Sequence, residues 1–504
     1  MNKAVGSERR VSDYSLVGAD SARAVELGLA EAVWYTSPVS KEQMRRLLQR
    51  RDGPALRDTL LWFALLAFFG AAGYWLWGSW WAIFPFAIYG VLYASVSDSR
   101  WHESLHGTAF KTDWMNNALY ELASFMVLRE SVRWRWSHTR HHSDTLVVGR
   151  DPEVAVPRPP NLLRVIGGFF NLKAFPAYAG GLFRHSLGRL EPQEMTYIPE
   201  SEYGKLFWRA RLYLLIYAAV IGLALYTRSL LPLMYVGLVN VYGAWLMVVY
   251  GLTQHAAMAE NVLDHRLNCR TVYMNRLNRY LYWNMNYHVE HHMFPLVPYH
   301  ALPALHALVK PDMPTPYASI VDAYREIVPA LLRQARDPSF FIKRRLPPPQ
   351  ARPAAADASG RLRLDGRSVM DGWIELCDSA RLEKEDVLRF DRDGKTYAAY
   401  RAADGRVYAS DGLCTHGNAH LADGMVKGTL IECAKHNGRF DVRDGSPQRL
   451  PVCVGLKTYP VRERAGALQV NLEQAGGYGV EHAAAGYTLR VVSNRNVATF
   501  IKEL

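Results

Sequence analysis

The chain has 504 residues, a formal net charge of +12 and five cysteines. A chain of this length accommodates about two to four domains. An odd number of widely spaced cysteines is not a disulfide framework and suits a reducing compartment. The first apolar run begins only near Thr59, after a polar and charged N-terminus, so no secretory signal is expected. The sequence lacks a basic stripe interleaved with aromatic residues, which argues against a nucleic-acid-binding protein.

The first predicted elements are two membrane hairpins. No charged residue occurs from Thr59 to Ser97, and one helix of that length would reach about 58 Å, whereas the hydrocarbon core is about 30 Å thick. The stretch therefore predicts two spans that fold back at Gly78-Ser79, where tryptophans form an interfacial belt. A second apolar pair follows, and a buried soluble core is the less favoured alternative. The predicted spans are 59–77, 80–97, 209–227 and 230–253.

The distribution of Lys and Arg predicts the orientation of these spans. The two hairpin turns carry almost no basic residues, whereas the N-terminal segment, the loop 98–206 and the chain after 254 carry nearly all of them. The positive-inside rule places those three parts in the cytoplasm. Every histidine lies in them, so one cytoplasmic face can collect all the histidine clusters.

Three histidine clusters follow the hairpins, in the stretches WHESLHG, WSHTRHHSD and NYHVEHHMF. Spacings of three and four residues place the members of a cluster on one face of a helix, and a further histidine, His255, comes directly after the fourth span. Neutral imidazole suits iron, copper and zinc, and about nine such ligands suit two ions. No catalytic residue beyond these ligands is predicted. The predicted ligands are His102, His106, His138, His141, His142, His255, His288, His291 and His292.

Metal-bound imidazoles need a hydrogen-bond acceptor for their second nitrogen. The stretch VGRDPE at 148–153 predicts a turn that returns acids toward the site. The candidate acceptors are Glu103, Asp144, Asp151, Glu153, Glu290 and Asn284. The remaining histidines lack the cluster spacing and are expected to be ordinary polar residues. These are His185, His265, His300, His306, His420 and His482.

Two hydrophobic hairpins with H-x-x-x-H, H-x-x-H-H and H-x-x-H-H on the cytoplasmic side resemble the membrane fatty acid desaturase/hydroxylase family, over roughly Arg57 to Leu308. The resemblance implies a non-haem di-iron centre that activates O2 and attacks an unactivated C–H bond. The family uses a further ligand near the last span, and His255 matches it by position. The stretches HHSDTLVVGRDPE and NYHVEHHMFPLVPYHALPALH are most similar to a bacterial branch that includes the rhizopine-catabolism oxygenases.

The composition changes at 344–360, where proline and alanine predict a linker. Beyond it, short alternating stretches such as KTYAAYR and GRVYAS predict strands. Two loops, CTHG and CAKHNG, supply two cysteines and two histidines, which would also suit zinc. From about Gly366 to Asn471, however, the chain resembles the Rieske fold of the ferredoxin and oxygenase type, which implies a [2Fe–2S] cluster. The cluster ligands implied by the resemblance are Cys414, His416, Cys433 and His436.

Charge separates the two parts of the chain. From Gly366 to Ala475, sixteen Lys and Arg balance sixteen Asp and Glu, so the excess of positive charge lies elsewhere. A basic cytoplasmic face suits anionic lipid headgroups and would attract the reduced cluster domain. Cys377 and Cys453 are expected to be buried thiols. The tail 487–504 resembles the start of a flavin- and NAD-binding ferredoxin-reductase domain, so either the chain is truncated relative to its gene or the reductase is a separate protein.

The sequence thus predicts a multidomain protein. An all-α, membrane-embedded, desaturase-like domain with four transmembrane helices (1–345) is followed by a linker (346–365), an all-β Rieske domain (366–475) and a tail (476–504). The expected reaction desaturates or hydroxylates an aliphatic, fatty acyl or lipid substrate with O2. An NAD(P)H-dependent flavin reductase would supply electrons through the Rieske domain, on the cytoplasmic face of a bacterial inner membrane. The alternatives are a hydroxylating demethylase of a small methyl-ether compound and a non-catalytic membrane redox protein.

Overall fold

The computed structural model describes residues 23, 34–348, 362–367, 369–416 and 419–476. Most of the predicted linker, 349–361, and nearly all of the predicted tail, 477–504, lie outside these residues. The division into domains at those points therefore stays a prediction.

The described chain before residue 349 is helical, as predicted. Its α-helices in chain order are α1 (Lys41–Leu47), α2 (Asp52–Trp75), α3 (Ile83–Gly90), α4 (Val96–His106), α5 (Asp113–Met126), α6 (Ser131–Ser143), α7 (Leu162–Gly168), α8 (Ala174–Ser186), α9 (Pro192–Met195), α10 (Glu200–Thr227), α11 (Leu231–Tyr235), α12 (Val239–Gly243), α13 (Trp245–His255), α14 (His265–Asn268), α15 (Arg276–Leu281), α16 (His288–Met293), α17 (Leu302–Val309) and α18 (Ile320–Arg336). A π-helical turn, Val91–Ser95, joins α3 to α4 without a break.

Four helical segments are long and apolar enough to cross a membrane. They are Lys41–Trp75, Trp80–His106, Glu200–Thr227 and Leu231–His255. This confirms the prediction of four membrane-spanning helices. The first hairpin turns at Gly78, whose φ of 90° lies in the left-handed region. Trp75 and Trp80 flank this turn with 85% and 86% of their surface exposed, as an interfacial belt requires.

The fourth span is not one uninterrupted helix but the three pieces α11, α12 and α13. A Cβ on Gly243 would overlap the carbonyl group of Gly90, so the second and fourth spans cross backbone to backbone at this point. The Ser95 hydroxyl donates to the Gly243 carbonyl at 2.6 Å and accepts from the Met247 amide at 2.9 Å. It thereby satisfies backbone groups that the helix break would otherwise leave unpaired within a membrane.

The histidine clusters sit at one end of this helical bundle. The first cluster, His102 and His106, lies on the last turns of α4, and His255 is the last residue of α13. The second cluster lies on the C-terminal half of α6, and the third forms most of the short helix α16. The side chains of all nine candidate ligands except the half-buried His255 are buried.

The chain after residue 361 is a β domain, as predicted. Its strands are β1 (Leu362–Arg363), β2 (Val369–Met370), β3 (Trp373–Asp378), β4 (Asp386–Arg392), β5 (Lys395–Arg401), β6 (Val407–Asp411), β7 (Met425–Lys427), β8 (Leu430–Glu432), β9 (Arg439–Asp441), β10 (Pro447–Arg449), β11 (Thr458–Tyr459), β12 (Val461–Arg464) and β13 (Ala467–Val470). They form three sheets with the orders β1-β4-β5-β6-β11, β10-β9-β8-β7 and β12-β13-β3-β2. The stretch KTYAAYR is β5, and the two predicted cluster loops connect β6 to β7 and β8 to β9.

The expectation that the two remaining cysteines of this domain are buried is wrong. Cys377 is half-buried on β3, where it lies between the buried Leu376 and the exposed Asp378 and packs against the core of the domain. Cys453 is exposed, in the loop between β10 and β11.

The β domain packs directly on the histidine end of the helical domain. Met425 and Ala434 lie against the main core of the helical domain. Leu450 packs with the cluster formed by Trp136, Ile198 and Leu206. The two predicted metal sites therefore face each other across one interface.

Candidate metal centres

The structure brings all nine predicted histidine ligands into one continuous cluster. Their ring nitrogens meet in close pairs, two of which join different segments and two of which lie within one helix. The Nε2–Nε2 distances are 2.7 Å for His102 and His291, 3.2 Å for His138 and His142, 2.9 Å for His255 and His288, and 3.0 Å for His288 and His292. Two imidazoles that meet in this way can share only one proton. The lone pairs left over suit a cation placed between the rings.

The cluster divides into two groups that could each hold an ion. In the first, one nitrogen from each of five residues lies within 4.8 Å of every other; these are His102, His106, His138, His142 and His291. We call this the five-histidine group. The second contains His141, His255 and His292, and His288 joins it through its short distances to His255 and His292. Two groups fit the expectation of two ions.

Burial keeps most of these imidazoles in the neutral form that binds metals. Burial, followed by the charge of neighbouring histidines, holds the pKa values of His142, His288, His291 and His292 well below the usual range. The Nε2 atom of His106 has no hydrogen-bond partner among the described residues. Unprotonated, buried and unpartnered nitrogens are what a metal site requires.

Two acids orient histidines of the α6 cluster. The Nδ1 atom of His138 donates to Glu153 at 2.9 Å, and that of His141 donates to Asp151 at 2.9 Å. Burial opposes ionisation of Glu153, but His138 outweighs it and lowers the pKa of Glu153 to about 2. Both contacts place the ring proton on Nδ1, which leaves the lone pair of Nε2 as the possible metal ligand. The prediction that the turn at 148–153 returns acids to the site is confirmed.

The other four candidate acceptors make different contacts. Glu290 accepts from His306 at 2.5 Å and from Thr271 at 2.6 Å. Glu103 accepts from the Thr108 hydroxyl and from the Tyr299 amide. Asp144 pairs with Arg140. Asn284 accepts from Arg279 and donates to the Tyr299 carbonyl. In place of an acid, the backbone carbonyl of Asn268 accepts from Nδ1 of His255 at 2.9 Å.

One histidine set aside on its spacing lies beside the metal cluster. The ring of His265 is 5.1 Å from that of His292, and Cys269 completes a group of three possible ligands. The indole of Trp34 stacks on the ring of His265, with 4.2 Å between the ring centroids. The sequence gives no spacing signal for His265. It lies far from His292 along the chain, and only the fold brings the two rings together.

The second site lies in the β domain. The rings of His416 and His436 are 4.8 Å apart and nearly perpendicular, and burial lowers the pKa of His416 to about 3. The Nδ1 atom of His416 has no hydrogen-bond partner among the described residues. Cys414 and Cys433 are buried. A hydrogen bond from Cys414 and backbone N–H groups of the following residues lower the pKa of the Cys433 thiol against the effect of burial. Two thiols and two neutral imidazoles at one place fit a [2Fe–2S] cluster of the Rieske type.

The two sites touch through their ligand-bearing segments. Nε2 of His436 lies 2.9 Å from the hydroxyl oxygen of Ser143, the residue that follows His142. The side-chain amide of Asn437 donates to the backbone carbonyl of His106. Neither Ser143 nor Asn437 carries a signal in the sequence, because they meet only across the interface.

Basic residues of the N-terminal segment meet acids of the β domain. Arg45 pairs with Glu383 and with Asp386, at 3.1 Å in each case. Arg50 pairs with Glu432. The expectation that the basic face attracts the cluster domain is thus met by particular ion pairs.

Comparison with known proteins agrees with both sites. The family model for fatty acid desaturase matches residues 78–324, and that for the Rieske [2Fe-2S] domain matches residues 372–460. The ferredoxin component of the naphthalene 1,2-dioxygenase system of Pseudomonas putida is 44% identical over 90 residues, which are 18% of this chain and 86% of the relative. The cholesterol 7-desaturase nvd of Hemicentrotus pulcherrimus is 35% identical over 117 residues, 23% of this chain and 25% of the relative.

Among solved structures, the ferredoxin of Sphingomonas yanoikuyae B1 is 36% identical, covers 19% of this chain and 96% of its own, and gives a TM-score of 0.19. The Rieske domain implies a [2Fe–2S] cluster and the desaturase domain a di-iron centre, and the donor sets described above fit both. Residues 78–324 therefore belong to the fatty acid desaturase family and residues 372–460 to the Rieske [2Fe–2S] family, so the chain is a membrane protein and an O2-dependent oxidoreductase that uses Rieske electron transfer.

Proposed function

We propose that this protein is a membrane di-iron oxygenase that desaturates or hydroxylates an aliphatic substrate, either a fatty acyl chain or another lipid, with electrons from its own Rieske domain. The observation that carries the proposal is the contact between His436 and Ser143. His436 is a proposed cluster ligand, and Ser143 directly follows His142, a proposed iron ligand of the same chain. The proposed domains are 1–345, 346–365, 366–475 and 476–504.

The proposed ligands follow from the geometry of the nitrogen and sulfur atoms. Iron would be held by the five-histidine group and by the second group with His288. The cluster would be held by Cys414, His416, Cys433 and His436. When bound, the iron pair supplies the O2-activating chemistry that attack on an unactivated C–H bond requires. Removal of a second hydrogen gives a double bond, and addition of oxygen gives a hydroxyl group.

The protein's own residues prepare the site in two ways. Glu153 and Asp151 fix the rings of His138 and His141, so that each neutral ring carries its proton on Nδ1 and presents Nε2 to the centre. Burial of the surrounding side chains excludes bulk water, which would otherwise compete with an aliphatic substrate. Four apolar spans support a substrate that comes from the lipid phase.

The proposed partners are O2, an NAD(P)H-dependent flavin reductase and the membrane. The excess of Lys and Arg in the N-terminal segment, the 98–206 loop and the chain after 254 supports a cytoplasmic position for both metal sites. The likeness of the Rieske domain to ferredoxin components of dioxygenase systems supports reduction by a separate flavoprotein. A bacterial inner membrane is the location that we propose.

Product analysis under ¹⁸O2 tests the proposal. The protein would be reconstituted with NADH, a ferredoxin reductase and lipid vesicles that contain fatty acyl chains. Label in a hydroxylated lipid identifies hydroxylation, and a new double bond without label identifies desaturation. The variant His138→Ala should consume no O2. Formaldehyde release from a methyl-ether compound, with unchanged lipids, would contradict the lipid substrate. Absence of NADH-coupled O2 uptake with any substrate would contradict an oxygenase.

A further inference from the structure

A chain of charged side chains crosses the interface beside the two metal sites. Arg50 of the helical domain pairs with Glu432 of the Rieske domain, and their side chains are only 8% and 5% exposed. Glu432 also accepts from Arg439 at 2.9 Å. Arg439 reaches back to Asp113 of the helical domain at 2.7 Å, and Arg449 lies 3.8 Å from the same carboxylate. The chain thus begins and ends in the helical domain.

This charged chain brackets one of the two cluster loops. Glu432 immediately precedes Cys433, and Arg439 immediately follows Gly438 at the other end of the loop. Both ends of the loop are therefore tied to the helical domain, one through Arg50 and the other through Asp113. The Arg50–Glu432 pair is desolvated, and pairs of this kind fix the register of an interface. The Arg439–Asp113 pair lies at the rim, where the side chain of Asp113 is 54% exposed.

The residues inside the bracketed loop make the shortest connection to the iron site. His436 meets Ser143 and Asn437 meets the carbonyl of His106. His106 and His142, the neighbour of Ser143, both belong to the five-histidine group. Gly107, directly after His106, lies against the same interface: its φ is 67°, and a Cβ there would overlap the guanidinium group of Arg449.

We propose that Arg50, Glu432, Arg439 and Asp113 are positioning residues that seat the cluster loop on the five-histidine group, which is thereby the side on which electrons enter the iron site. The proposal rests on the proposed function, in which the Rieske domain reduces the iron site of its own chain. One electron passes in each event. The Rieske centre, reduced beforehand by NAD(P)H through a flavoprotein, is oxidised by one electron, the iron site is reduced by one electron, and no atom is transferred.

Asp113→Lys is the sharpest perturbation, because Asp113 lies in the helical domain and the change leaves the residues of the cluster loop intact. The new cation would face Arg439 and Arg449. Asp113→Glu keeps the charge and serves as the conservative variant. Asp322→Lys is the matched control, since Asp322 also lies in the first turn of a helix of the same domain, where it accepts from the Ala318 amide.

Two measurements on the full-length holoprotein follow the effect. Hydrogen–deuterium exchange reports the protection of residues 433–439 without any turnover. Anaerobic flash reduction of the Rieske centre, followed by the recovery of its visible absorbance, reports electron transfer to the iron site. We expect Asp113→Lys to increase exchange at 433–439 and to slow recovery at least tenfold, with the visible spectrum and the iron content unchanged. Asp113→Glu should retain most of the wild-type behaviour, and Asp322→Lys should retain all of it.

The variant Ser143→Ala distinguishes the positioning of the cluster loop from the route of electron transfer. It removes the hydroxyl partner of His436 but no charge, so recovery should slow while exchange at 433–439 stays at the wild-type level. Unchanged exchange and recovery in Asp113→Lys would overturn the positioning role, and unchanged recovery in Ser143→Ala would overturn entry beside His142. If the wild-type protein shows no recovery that is independent of concentration, the Rieske domain does not serve its own chain and the proposed function fails instead.

Discussion

Asp151→Asn tests whether the carboxylates behind the histidines are built for metal binding. Both oxygens of Asp151 are occupied. They accept from Nδ1 of His141 at 3.0 and 2.9 Å, and from the amides of Glu153 and Leu146 at 2.8 Å each. Asparagine has the same shape, but its NH2 group must face a backbone N–H whichever way the amide is turned. The substitution therefore removes a charge and places two donors against each other in a buried site.

The magnitude of the effect follows from two contributions. Loss of a group that orients a metal-bound histidine costs about 10–100-fold in metal affinity, or about 1.4–2.8 kcal/mol. A buried donor without an acceptor costs about 1–3 kcal/mol of folding stability. We therefore expect iron loss from the helical domain of a protein that still folds, with His141 as the weakened ligand.

The Rieske domain serves as an internal standard for the assay. Iron release to a chelator would be followed together with the visible absorbance of the cluster. In Asp151→Asn, the iron of the helical domain should leave at least tenfold faster while the absorbance persists. The matched control is Asp98→Asn, because Asp98 is a half-buried carboxylate that pairs with Arg129 instead of a histidine. Equal iron release from Asp151→Asn and the wild-type protein would refute the supporting role of the carboxylate.

Four further outcomes are expected. Metal analysis should find about four iron atoms per chain, two of them lost on removal of the chain after residue 345, and zinc in the helical domain would contradict the redox assignment. His141→Ala should abolish oxygenation but keep the Rieske spectrum. Cys433→Ala should lose the spectrum and NADH-driven turnover but still turn over with a chemical reductant; loss of iron from the helical domain would contradict two separate sites. Cutting the chain between Pro347 and Gly360 should change electron transfer from first-order to second-order and make it depend on salt, as measured by stopped-flow at two concentrations. Identical dilution behaviour before and after the cut would mean that the Rieske domain serves another chain.

Local periodicity explains how much of the site could be predicted. Spacings of three and four residues put His138, His141 and His142 on one helical face whatever the rest of the fold does. The turn at 148–153 is equally local, so its acids return to the helix that precedes it. The Rieske loops carry their ligands at fixed short intervals. Each of these features depends only on the geometry of about ten consecutive residues, so it can be predicted from the sequence directly.

The parts that could not be predicted depend on contacts between distant segments. His436 and Ser143 are 293 residues apart, and no spacing rule relates them. The division of nine histidines into two groups requires the relative placement of four helices. Glu290 sits inside a cluster but faces His306, because the neighbouring helix α17 presents a partner there. The break in the fourth span likewise needs Gly90 from another hairpin.

The net charge of the Rieske domain does not reveal the ion pairs that hold it against the helical domain. Its net charge is zero from Gly366 to Ala475, yet Glu383, Asp386 and Glu432 all meet basic residues of the N-terminal segment. That same basic segment supports the cytoplasmic orientation of the first span. A substitution at Arg50 would therefore alter both the positive-inside bias of this segment and the seating of the domain. Asp113 separates the two, because acidic residues contribute little to the positive-inside bias. An effect of Asp113 on electron transfer would consequently report the seating of the Rieske domain alone.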